Sequence, residues 1–158
     1  MRRTADVLLV AGLWCLLGGW IGALLLFSIV VAPTAFQVLP NPELAGRLVG
    51  PVLRSLNLYG ALAGFALAVL AWRLGRGAWL VVLPLSLAAL SLVSQFGITA
   101  EIERIRPLAF GAVPDAGALA RFGQLHGLSV LLFGVTGIAA LVLAWLHAGV
   151  EVGSRGAP

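Results

Sequence analysis

Charge is scarce in this chain: of 158 residues only 10% are charged, no lysine occurs, and 61% are hydrophobic. A soluble domain of this length could not cover so much apolar surface with so few charges, so the composition excludes an ordinary water-soluble fold. One cysteine, Cys15, excludes an intrachain disulfide and reads as a small apolar filler between helices. Two histidines and one cysteine give weak support to a zinc site, which usually takes three or four protein ligands, and one methionine with one cysteine argues against a soft copper site. His126 and His147 lie 21 residues apart on one helix, about 31 Å at 1.5 Å per residue, which excludes a bis-histidine haem within one chain. No G-x-S-x-G, H-E-x-x-H, P-loop or G-x-G-x-x-G pattern occurs, so no catalytic residue, metal ligand or resident cofactor is assigned.

What the chain does have is four apolar runs, at 7–32, 52–72, 78–99 and 124–147, each near the ~20 residues a helix needs to cross ~30 Å of hydrocarbon. With a mean hydropathy of +1.06, these predict an all-α membrane protein. The expected fold is a four-helix up-and-down bundle forming one domain over 1–149, followed by a disordered cytoplasmic tail at 150–158. The first run is too long for a signal h-region and is expected to be retained.

Boundary signals complete this picture. Pro33 is expected to stop the first helix. Asn41 as N-cap, Pro42 and Glu43 open a short interfacial helix, which Pro51 bends into span two. Pro107 is expected to end span three, after the charged stretch in which Glu101 can pair with Arg104 and Glu103 with Arg106. Asp115 is expected to cap the last helix.

The ten basic residues, all arginine, are spread over every connection and form no cluster, which argues against nucleic acid as a partner. With the N-terminus inside, Arg2, Arg3, Arg73, Arg76 and Arg155 balance Arg47, Arg54, Arg104, Arg106 and Arg121. The short Arg73/Arg76 turn and the N-terminal arginines lie closest to membrane ends, so a cell-membrane protein with both termini cytoplasmic is expected. Trp72, Trp79 and Trp145 suit an aromatic belt at that boundary. Small-residue pairs, Gly18/Gly22, Gly46/Gly50, Gly60/Gly64 and Gly123/Gly127, point to close helix packing, either within the bundle or in a homo-oligomer.

Polar residues concentrate at the other end. Arg54 and Asn57 open span two, Gln95, Thr99 and Glu103 share one face of span three, and His126 and Ser129 open span four. Near hydrocarbon such groups should face one another, with Pro33 and Phe36 at their border. They form either a polar lock or a site for a small ligand or partner, with a membrane enzyme or a haem- or copper-associated carrier using His126 as the alternative.

The stretch from Trp20 to Phe27, then Val31-Ala32-Pro33-Thr34-Ala35-Phe36 and Leu44-Ala45-Gly46-Arg47-Leu48-Val49-Gly50, resembles the membrane family called domain of unknown function 4149, which includes transmembrane protein 205-like members. Ile98 to Arg106 and Phe122-Gly123-Gln124-Leu125-His126-Gly127-Leu128-Ser129 resemble its later segments. Ala100 and Phe133 stand where members often carry Pro and Asn. The resemblance implies a four-helix membrane protein with no established activity.

Overall fold

The computed structural model describes residues 2–155. Four long helical rods run antiparallel, and both ends of the described chain lie at one end of the bundle. The first rod is α1 (Arg2–Leu26), a π-helical turn (Phe27–Val31) and α2 (Ala32–Val38). The second is α3 (Pro42–Arg73). The third is α4 (Ala78–Val93), a second π-helical turn (Ser94–Thr99) and α5 (Ala100–Phe110), and the fourth is α6 (Ala116–Arg155). All four are long and apolar enough to cross a membrane.

Two expected starts are present. Leu44 N donates to Asn41 Oδ1 at 2.9 Å with Pro42 in the first turn, and Ala118 N donates to Asp115 Oδ1 at 2.6 Å. The expected proline stops are not. Helix continues through Pro33 to Val38 and through Pro107 to Phe110, and Pro51 lies inside α3, so no separate interfacial helix precedes span two. In hydrocarbon an interrupted backbone has no water to satisfy it, so the chain keeps its helical bonds around the proline. At Pro33 this takes the form of a wider turn just upstream, where Ala32 N–H reaches back to Phe27 O, five residues away.

The last helix also outruns expectation, continuing past 149 to Arg155. The cause is tertiary: Glu151 pairs with Arg76, in the turn between α3 and α4. Of the tail expected to be disordered, residues 156–158 lie outside the described residues.

The main core sits in the half of the bundle near the termini, where Leu13, Leu17, Trp20, Leu67, Leu80, Leu87 and Leu143 close around one another. There α4 packs tightly on α3 at Gly64, whose absent side chain leaves room for Pro84 O and Ala88. A smaller cluster of Ile98, Ile102, Ile105 and Leu125 joins α5 to α6 at the far end. The outer surface carries exposed Leu62, Phe65, Val82, Phe96, Leu131 and Ile138, the inside-out pattern of a protein solvated by lipid. Trp72, Trp79 and Trp145 are largely exposed, as an interfacial belt requires.

Candidate ligand site

At the far end, where the main core gives out, the helices frame a half-open cavity of about 310 Å³. Phe27, Ser28, Ala32 and Phe36 form one wall, Gly46, Val49, Gly50 and Leu53 of α3 a second. Thr99, Ile102, Glu103 and Arg106 form a third, and Phe122, His126, Ser129, Val130 and Phe133 of α6 the fourth. Both π-helical turns contribute, through Phe27 and Ser28 and through Thr99, so each extra backbone residue per turn falls where the rods open around the cavity.

Arg106 is the cation of this cavity. Its side chain is 12% exposed, and Nη2 donates to Glu103 Oε1 at 2.8 Å. The guanidinium carbon lies 5.7 Å from the centre of the Phe122 ring, within cation–π range. Phe122 in turn stacks on the His126 imidazole, with 6.1 Å between centroids and 5° between planes, and meets Phe110 edge-on at 4.9 Å. On the other side, a methyl group on Gly46 would stand 2.8 Å from Arg106 Nη1 and one on Gly50 3.2 Å from Glu103 Oε1. The Gly46/Gly50 pair therefore admits an ion pair against α3. Arg106 Nε and Thr99 Oγ1 are buried without hydrogen-bond partners.

The seven residues singled out from the sequence fall into three neighbouring places. His126, Ser129, Thr99 and Glu103 line the cavity just described. Arg54 and Gln95 line a second, open cleft of about 480 Å³ that shares Thr99, Glu103 and Gly50 with the first. Asn57 lies deeper, with Trp20, Ser91, Ser94 and Thr136 around a void of about 10 Å³, room for a single water. Trp20 Nε1, Asn57 Nδ2 and Gln95 Oε1 have no protein partners. Among the described residues no hydrogen bond or ion pair joins Arg54, Gln95, Glu103 and His126 to one another. Phe36 borders the main cavity, whereas Pro33 is not in its lining.

From the sequence Arg106 is legible only as the helix-surface partner of Glu103, and Phe110 and Phe122 carry no signal of their own. The available signal is the spacing of Phe122, four residues before His126 on one helical face. Nor does the sequence mark a buried group at the opposite end. His147 is fully buried and Arg76 Nη1 donates to its Nδ1 at 2.8 Å, while Nη2 of the same arginine bonds Glu151. Among the described residues no three His, Cys, Asp or Glu side chains gather where they could share a metal ion.

A family model described as Domain of unknown function (DUF4149) matches residues 15–110, which include three of the four cavity walls. No curated protein and no solved structure matches the chain.

Proposed function

Because the chain belongs to the family of Domain of unknown function DUF4149, whose name carries no activity, we propose from the site alone that it is a non-enzymatic membrane protein binding a small amphiphile. The carrying observation is the 310 Å³ cavity, apolar along Phe27, Phe36, Val130 and Phe133 and polar at Thr99, Arg106 and His126. A volume near 300 Å³ with mostly apolar walls and a few converging polar groups is the usual form of a small-molecule pocket. Its position between lipid-solvated helices favours a ligand that reaches it from the bilayer.

The polar end faces the non-cytoplasmic side in this reading, because the terminal arginines and the Arg73/Arg76 turn favour a cytoplasmic location for the opposite end. The experiment is native mass spectrometry of the chain extracted from membranes, compared with Val49→Trp, which adds bulk at a half-buried residue of the cavity lining. A small molecule retained by the parent and lost from the variant is expected. Equal retention by both, no retained molecule, or a stoichiometric haem or metal would overturn the proposal.

A further inference from the structure

We infer that the head group recognised by the main cavity is an anion, a carboxylate or phosphate at the end of an alkyl chain, with Arg106 as its partner; this rests on the amphiphile reading above. Arg106 brings the only guanidinium into the cavity lining, and its side chain is nearly withdrawn from solvent. Burying a cation is costly unless its donors are used, yet Nε is buried with no acceptor. Thr99 Oγ1 is likewise unpartnered in the same lining. Those two atoms are closed off even from water, so what meets a ligand is the exposed remainder of the Arg106 side chain, and beside a guanidinium the best acceptor is an oxyanion.

Glu103 is the one carboxylate in the lining, and it marks the place an anion would take. Its side chain is 53% exposed, so it can release Arg106 toward solvent at little cost while Arg106 stays in place. Ligand anion and Glu103 thus compete for one guanidinium. A cationic head group would instead face Arg106 across the cavity and meet repulsion.

The test uses the full chain in phosphatidylcholine nanodiscs and reads thermal unfolding by tryptophan fluorescence. Laurate, dodecyl phosphate, dodecanol and dodecyltrimethylammonium are added in turn, so the alkyl chain is constant and the head varies. The anions should raise the midpoint and the other two should not. Glu103→Gln should tighten laurate binding several-fold by removing the competitor. Arg106→Gln should erase the preference, and Arg106→Lys, which keeps the charge without the fork, should retain part of it, so a folding defect in the first variant does not hide the result. Equal shifts with all four probes would overturn the anion assignment and leave the amphiphile reading standing, whereas no shift with any of them would remove both. A larger shift with the cationic probe would assign the head to Glu103 and overturn the inference. Replacing part of the phosphatidylcholine by phosphatidylglycerol separates the sources: loss of the laurate response identifies an anionic bilayer lipid as occupant, and its persistence identifies a single-chain anion.

Discussion

Arg76 carries two bonds at once, to His147 Nδ1 and to Glu151, with 4% of its side chain exposed. Removing one member of a buried charged group leaves the others without compensation, which outweighs the modest net gain from forming it. Arg76→Gln is therefore expected to lower stability by roughly 3 kcal/mol in a denaturant titration of the detergent-solubilised protein. A loss no larger than that of Arg73→Gln, an exposed neighbour, would show that the cluster is not structural. None of this was legible at the level of single residues. A basic turn reads as a topology signal and a histidine near a helix end reads as a boundary, because the 71-residue separation between Arg76 and His147 hides their contact.

Between elements, glycines with the same sequence spacing do different work. A methyl group on Gly64 would lie 2.5 Å from Pro84 O, a backbone atom that cannot turn aside, whereas one on Gly18 would meet nothing within 4 Å. Gly64→Ala should cost about 1–3 kcal/mol through overpacking. Gly18→Ala should instead gain about 0.5–1 kcal/mol from helix propensity. Thermal unfolding of the two variants checks both signs, and a destabilised Gly18→Ala would reveal a contact beyond the single chain, as a homo-oligomer through that face would make. Element starts were legible, since Asn41 and Asp115 each satisfy a backbone N–H locally. Element ends were not, because a proline removes a single N–H and the remaining helical bonds carry the rod past it, as at Pro33, Pro51 and Pro107.

For the whole molecule, rod length makes the orientation in the membrane measurable. The rods are longer than hydrocarbon requires: α6, at 40 residues, spans about 60 Å at 1.5 Å per residue, twice the ~30 Å core. Its ends therefore project. A cysteine at Ala112, exposed between α5 and α6, should react with an impermeant thiol reagent in intact cells, and one at Gly153, exposed at the other end, should not, each in a Cys15→Ala background. The opposite pattern would place the ligand cavity on the cytoplasmic side.

By itself the sequence determined the solvent, the count of four rods and two of their N-caps, at Asn41 and Asp115. Each of these follows from local composition or from bonds within a few residues, and hydropathy sums along a chain without reference to its neighbours. Only the tertiary structure decided how the polar groups divide. It put His126, Ser129, Thr99 and Glu103 on one cavity, Arg54 and Gln95 on a cleft beside it and Asn57 on a void below, and turned Arg106 inward onto Gly46 and Phe122. The reason is rotation. Helical periodicity tells which residues share a face, but the direction each face points depends on how four rods pack, and in lipid that packing rests on close contacts between small residues far apart in the chain.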